Sequence, residues 1–245
     1  MLQIFKSLRK PYLKIENLPS KGLFYDNDIK IYLKNYDNNQ LHKLVKVFND
    51  KHETTLSRIL AISYVLENLI EIDNQSIRDL NMPDLYYIFF KLCAEKIDVG
   101  YWHTYLEKYK KLNIDHLQWS TKMLDHSTFD KKEKIFNIND WKTSEPSLNK
   151  LKMVYDYIHI RHKAGLKTAQ EEAQILALIS YTSGNNNMTF ADLETVFDTI
   201  KIMPREEILK TVKILEDNGI RLVQIYDGYP IKLSELTILP KNLVK

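Results

Sequence analysis

The stretch Ile29-Lys30-Ile31-Tyr32-Leu33-Lys34-Asn35-Tyr36-Asp37-Asn38-Asn39-Gln40-Leu41-His42-Lys43-Leu44-Val45-Lys46-Val47-Phe48 changes its hydrophobic period part-way along. Ile29 to Leu33 alternates apolar and polar side chains of strand-favouring type, which predicts one short strand, and an exposed strand of this kind is an edge awaiting a partner. From Asp37 the period becomes helical. Leu41, Leu44, Val45 and Phe48 fall on one face, with Asp37 or Asn38 as the cap. A chain that mixes helical units with short strands in this way is α+β.

Downstream the helical pattern dominates. Leu56, Ile59, Leu60, Ile62, Ser63, Val65, Leu66, Leu69 and Ile70 are apolar on nearly all sides, as expected of a central helix capped by Thr54 or Thr55. A short helix is expected from Ser76 to Leu80. Met82-Pro83-Asp84 opens another through Leu85, Ile88, Phe89 and Leu92, because proline is tolerated in a first helical turn. Residues 97–146 are less periodic, with strands expected around Val99 to Tyr105 and Lys134 to Ile138. Thr143-Ser144-Glu145-Pro146-Ser147 has linker composition and ends in a helix start. Beyond it one helical face holds Leu148, Leu151, Val154, Tyr155 and Ile158. Thr168-Ala169-Gln170-Glu171 has capping-box spacing, Gly184 to Asn187 forms a loop, and Thr189 and Pro204 each open a helix. The last helix is expected to stop at Asn218-Gly219. Arg221 to Tyr226 and Ile231 to Leu233 flank Asp227-Gly228-Tyr229-Pro230 as a β-hairpin. Three units result: 1–36, an extended arm, turn and strand; 37–142, a helical unit with a strand-containing end; and 143–245, a helical unit ending in the hairpin.

Composition excludes much chemistry. The 245 residues are 44% apolar and 27% charged, enough for a packed core. Cys93 is the only cysteine, so no intramolecular disulfide or multi-cysteine metal site can form, and its apolar surroundings mark a buried thiol. No apolar run reaches the length of a membrane span and no cleavable leader is visible, so an intracellular protein without membrane contact is expected. The six glycines are too widely spaced for a phosphate-cradling GxGxxG or GxxxxGK[ST] loop, and no cofactor is expected.

No nucleophile or metal-protease motif is present, so no catalytic residue is assigned and the expectation is a non-enzyme. Asp156, His159 and His162 lie on adjacent turns of one helix, as metal ligands can, but solvated histidines on a charged helix face account for them better. Glu171-Glu172 is explained by the helix dipole. The cluster Tyr105-Leu106-Glu107-Lys108-Tyr109-Lys110-Lys111, with Lys6, Arg9, Lys10 and Lys14, interleaves aromatic and basic residues as a single-strand nucleic-acid surface does. Acidic residues interrupt it. With 35 Lys and Arg against 32 Asp and Glu, the net charge is only +3, and a solvated face of snorkelling lysines is the expectation favoured over a nucleic-acid partner.

The most specific words are Asn17-Leu18-Pro19-Ser20-Lys21-Gly22-Leu23-Phe24-Tyr25. Pro19 extends Leu18, and Ser20 and Gly22 suit a tight turn, so a rigid bend precedes the strand. This motif, with the strand and helical segment behind it, resembles the T-even-type phage baseplate protein family, which includes a baseplate hub subunit and a hub-assembly factor. The likeness is tight over the nine motif residues and looser to residue 98. Farther on it rests on layout: Asp140-Trp141, Pro146 leading into a helix, and a final strand pair near 219–239. The cysteine pairs of some relatives have no counterpart in Val99 to His103 or Tyr226 to Ile231. The resemblance implies a structural or chaperone-like role in building the hub of a contractile tail, through contacts with other hub proteins. It places the chain in the host cytoplasm during assembly and leaves open retention in the virion, copy number and oligomeric state. Leu18, Pro19, Ser20, Lys21, Gly22, Leu23, Phe24 and Tyr25 are the candidate interaction residues, with Leu23, Phe24 and Tyr25 expected to pack on the protein's own helices slightly ahead of touching a partner. The second expectation is a phage-encoded nucleic-acid-binding accessory protein.

Overall fold

The structure is a computed structural model, and it describes residues 10–25, 29–50, 55–97, 99–103, 107–111, 117–120, 129–138, 141–161, 178–179, 188–210, 221–226, 229–232 and 237–240. The chain is α+β, with more residues in α-helix than in strand among those described.

Strand β1 (Leu13–Lys14) pairs with β2 (Lys30–Leu33), and β2 pairs on its other side with β3 (Ile70–Ile72), all antiparallel. The expected strand at Ile29 to Leu33 is therefore the centre of a small sheet. The expectation of an open edge there fails because two short segments that carry no strand pattern of their own supply its neighbours. Ile31 is fully buried, and Leu13, Ile70 and Ile72 join it in the core.

Helix α1 (Asn38–Asn49) is capped by Asp37, whose carboxylate accepts from Gln40 N–H at 2.9 Å while the Gln40 side chain accepts from Asp37 N–H at 3.0 Å. It buries Leu41, Leu44, Val45 and Phe48, the face read from the sequence. Helix α2 (Thr55–Leu66) stops short of the expected end. Leu69 turns inward and Ile70 leaves the helix for β3, since pairing with β2 satisfies backbone groups that another helical turn would satisfy only locally. A single 3-10 turn, Ile77–Asp79, stands where the short helix was expected. Helix α3 (Met82–Lys96) follows with Pro83 in its first turn and Leu85, Ile88, Phe89, Phe90, Leu92 and Cys93 buried. Phe48 stacks on Phe89 with ring centroids 4.9 Å apart and meets Phe90 edge-on at 5.6 Å. These rings join α1 to α3 at the centre of the core.

The middle of the chain is richer in strands than its periodicity suggests. Beside the expected β4 (Val99–His103) come β5 (Lys108–Lys111), β6 (Leu117–Ser120) and β7 (Phe129–Asp130). The expected β8 (Ile135–Ile138) is followed by β9 (Trp141–Thr143). Strands β7, β8 and β9 form an antiparallel meander. Each strand missed in the sequence has two to four residues, too few for a period to register.

Helix α4 (Leu148–Arg161) is pinned at its start by Leu148 N–H donating to Leu80 C=O at 3.0 Å and by the Asn149 amide donating to Asp79 at 2.9 Å. Its Leu148 and Leu151 belong to the N-terminal core. Val154 and Tyr157 belong to a second cluster with Leu178, Leu193, Phe197, Ile200 and Ile208. Helix α5 (Phe190–Ile202) supplies three of these behind a Thr189 capping box, and helix resumes at 205 after Pro204, as expected. Strands β10 (Arg221–Tyr226) and β11 (Tyr229–Lys232) form the expected hairpin, but its second strand starts at Tyr229 rather than Ile231, with Tyr229 and Pro230 paired to Tyr226 and Ile225 instead of lying in the turn, and β12 (Thr237–Pro240) follows. The C-terminal strands do not stand apart. β10 pairs with β6, and β12 pairs with β4, so the end of the chain is woven into its middle. The expected capping box at Thr168, the loop at Gly184 and the stop at Asn218-Gly219 lie outside the described residues.

Phe48→Ala removes the ring that joins α1 to α3 and should cost about 3–5 kcal/mol in urea unfolding, because the remaining phenylalanines cannot close the cavity.

Candidate functional site

The bend at Leu18 to Tyr25 consists of three overlapping turns, closed by Lys21 N–H to Leu18 C=O at 2.9 Å, Leu23 N–H to Ser20 C=O at 3.1 Å and Tyr25 N–H to Gly22 C=O at 3.1 Å. Lys21 and Gly22, the central residues of the second turn, have φ of +49° and +83°, the signature of a primed turn. A Cβ on Gly22 would lie 2.7 Å from the Ile15 side chain, so both the sign of φ and the space call for glycine.

The bend is held by a residue 64 positions from Ser20. Asp84, fully buried in the first turn of α3, accepts from Ser20 N–H at 2.9 Å, from the Ser20 hydroxyl at 2.5 Å and from the Tyr25 hydroxyl at 2.6 Å. The donors are committed in turn. Ser20 Oγ accepts from Gly22 N–H at 3.2 Å, and Tyr25 OH accepts from Asn81 N–H at 3.1 Å. Asn81 caps α3 by accepting from Asp84 N–H at 3.0 Å. All the hydroxyl hydrogens therefore point toward one carboxylate.

Two effects compete at Asp84. Burial raises its carboxyl above the ordinary range by disfavouring the charge, while the hydrogen bonds from Ser20 and Tyr25 pull it back down; burial is the larger. The Tyr25 hydroxyl is pushed well up by burial and by the neighbouring carboxylate, so it remains a donor. The arrangement is a structural clasp joining an N-terminal turn to a helix start.

The motif residues divide by where they point. Leu18, Pro19 and Ser20 are buried, Gly22, Leu23, Phe24 and Tyr25 are half-buried, and Lys21 is exposed. Phe24 meets Phe129 of β7 edge-on at 5.8 Å. Tyr25 and Phe24 thus pack within the chain, which explains the specificity of the motif through its own fold. Asp84 and Asn81 were not singled out in the sequence as partners of the motif. The only local sign was the Asn81-x-x-Asp84 spacing of a capped helix start, which says nothing of Ser20.

The surface offers a different concavity. Helices α2 and α4 and the turn at Arg78 enclose a groove of about 320 Å³, with Leu60 and Leu148 in its lining and Tyr64 and Tyr155 beside them. Arg78 pairs with Glu67 at 2.9 Å and Lys152 pairs with Asp156. Tyr64 is 69% exposed, too much for a core residue.

Of the helix-face ligand candidates, Asp156 is engaged with Lys152 and His159 stacks on Tyr155 at 5.7 Å, while His162 and Glu171-Glu172 lie outside the described residues. Among the described residues no group of three or more His, Cys, Asp or Glu side chains is placed to hold a metal, and no helix is long and apolar enough to cross a membrane. Cys93 is fully buried, and burial pushes its thiol up, away from the reactive thiolate. No protein-family model, curated protein or solved structure matches the chain.

Asp84→Ala strands three donors at once and should lower stability by about 3 kcal/mol or more in chemical denaturation. Gly22→Ala should cost at least about 1 kcal/mol through its positive φ. For Asp84 the native carboxyl lies above its unfolded value of 3.8, so its charge opposes folding near neutrality. The stability of the native sequence relative to Asp84→Asn should therefore rise as pH falls through the native value toward 3.8, as measured by urea titrations across that range.

Proposed function

We propose that this chain is a non-enzymatic structural or chaperone-like protein of a contractile phage tail baseplate hub, working through contacts with other hub proteins in the host cytoplasm during assembly. The observation that carries the reading is the groove between α2 and α4. It combines an apolar lining, two tyrosines and an arginine held in place by Glu67, a composition that concentrates binding energy at protein interfaces. The resemblance of Asn17 to Tyr25 to the baseplate family supplies the identity of the partners. The clasp contributes indirectly: it anchors α3 and the adjacent Asp79 to Asn81 segment on which α4 is seated, and so keeps the groove walls in register.

The test is co-purification of the tagged chain from infected cells, followed by mass spectrometry of the bound proteins and of intact virions. Hub proteins should be recovered, and their presence or absence in virions together with this chain separates a resident subunit from an assembly factor. Tyr64→Ala and Tyr155→Ala should each weaken the contact by about 2 kcal/mol without lowering the melting temperature. Recovery of no tail protein, or full recovery with both variants, would overturn the reading.

A further inference from the structure

Lys21 stands at the apex of the clasped bend, and the clasp makes no use of its side chain. It is exposed, whereas Leu18, Pro19 and Ser20 before it are buried. Its φ of +49° lies in the left-handed region, where a side chain crowds the backbone and which asparagine and glycine adopt more readily than lysine. Glu107 and Lys134 also have positive φ, but each lies between two paired strands, β4 with β5 and β7 with β8, and a hairpin connection calls for that geometry. The Lys21 turn lies within the long connection from β1 to β2, where strand pairing makes no such demand. What fixes it is Asp84, which accepts from Ser20 N–H at 2.9 Å and from the Ser20 hydroxyl at 2.5 Å, while Ser20 Oγ accepts from Gly22 N–H at 3.2 Å. Both residues flanking Lys21 are thus tied to a buried carboxylate, and its backbone is held in one place. Among the described residues Lys21 has no ion pair, whereas Lys14, the preceding lysine of the arm, is paired with Glu16 at 3.6 Å.

We propose that Lys21 is a preorganised contact point for an acidic protein surface, its ammonium pairing with an Asp or Glu carboxylate of a second protein. A turn already fixed by its own scaffold loses little further freedom on binding, so a charge displayed on it binds more tightly than the same charge on a loose loop. A lysine that served solubility alone could sit anywhere on the surface and would gain nothing from a strained backbone position. Leu23, half-buried two residues on, places apolar surface close in sequence to the ammonium, as at the edge of a protein contact. A nucleic acid would ask for several cations together, because its affinity grows with each phosphate neutralised, and the turn presents one. Lys21 shares no residue with the lining of the groove between α2 and α4, and the inference rests on the hub reading only for the source of the partner.

The tagged full-length chain is recovered from infected cells, treated with a water-soluble carbodiimide, which joins a lysine amine to a carboxylate in contact with it, and digested for mass spectrometry. Lys21 should be found joined to an Asp or Glu of a co-purified protein. Lys21→Asn removes the charge but suits the positive φ. It should raise the melting temperature of the free chain by about 1–3 °C and recover that protein about tenfold less well. Recovery by the native chain should fall toward the Lys21→Asn level as salt rises, and Lys21→Arg should recover the protein in full. The inference is overturned by the absence of a link at Lys21 when other lysines are linked to the partner, by full recovery with Lys21→Asn, by lost recovery with Lys21→Arg, or by a lower melting temperature in Lys21→Asn. Loss of recovery after nuclease treatment would give the lysine to a phosphate and overturn it as well. Full recovery of tail proteins by Lys21→Asn leaves the hub reading standing, whereas a Lys21 link to a protein that is not a tail component overturns the hub reading alone. Recovery of no protein overturns both.

Discussion

The carboxylate of Asp84 is the constraint on which the N-terminal half is organised. A fully buried aspartate is tolerated only where its charge is answered by donors, and here the donors arrive from an N-terminal turn 59 to 64 residues away in sequence. The acceptor is fixed in the first turn of α3 by the Asn81 cap. The bend must therefore place Ser20 and Tyr25 at that helix start, which sets where β2 begins and carries Ile29 and Ile31 into the core. A clasp of this kind contributes less net stability than the same volume of apolar packing, but it is strict about geometry, because each misplaced donor would leave a buried group unanswered.

Around the clasp the core is aromatic and closed. Phe48, Phe89 and Phe90 interlock α1 with α3, and Leu148 and Leu151 bring α4 onto the same core. Helix α4 then continues into the second cluster through Val154 and Tyr157. One helix thus belongs to both apolar clusters, and strands β10 and β12 reach back to β6 and β4. Strands β4 and β6 in the middle of the chain pair with residues more than a hundred positions away, whereas β5 and the β7-β8-β9 meander pair with near neighbours in sequence, and pairing of the first kind is late to form relative to the helices.

The two surfaces that project from this framework differ in character. Between α2 and α4 tyrosines, an apolar lining and internally paired charges make a concavity suited to another protein. On β4 and β5 the exposed Trp102 shares one face of the sheet with Tyr109 and Lys111, while Lys108 and Lys110 lie on the opposite face.

The sequence by itself determined the local part of the fold: the faces of α1 and α3, the Asp37 and Thr189 caps, the proline in the first turn of α3, the terminal hairpin and the turn at Lys21-Gly22. Each depends on neighbours within a few residues, where periodicity and backbone sterics act directly. The Leu18 to Tyr25 motif was visible as a specific word, and its bend could be read from Pro19, Ser20 and Gly22. Its purpose could not, because the partner of Ser20 is an aspartate that looks from sequence like an ordinary helix-start residue. Tertiary structure alone decided that β2 is central rather than an edge, that Ile70 leaves the helix for a strand, and that Trp102, Tyr109 and the lysines of β5 share a sheet. Strands of two to four residues carry too little pattern to announce themselves, and they exist because a neighbouring strand, near in sequence for β5, β7 and β9 and distant for β1, β3, β6 and β12, satisfies their backbone hydrogen bonds.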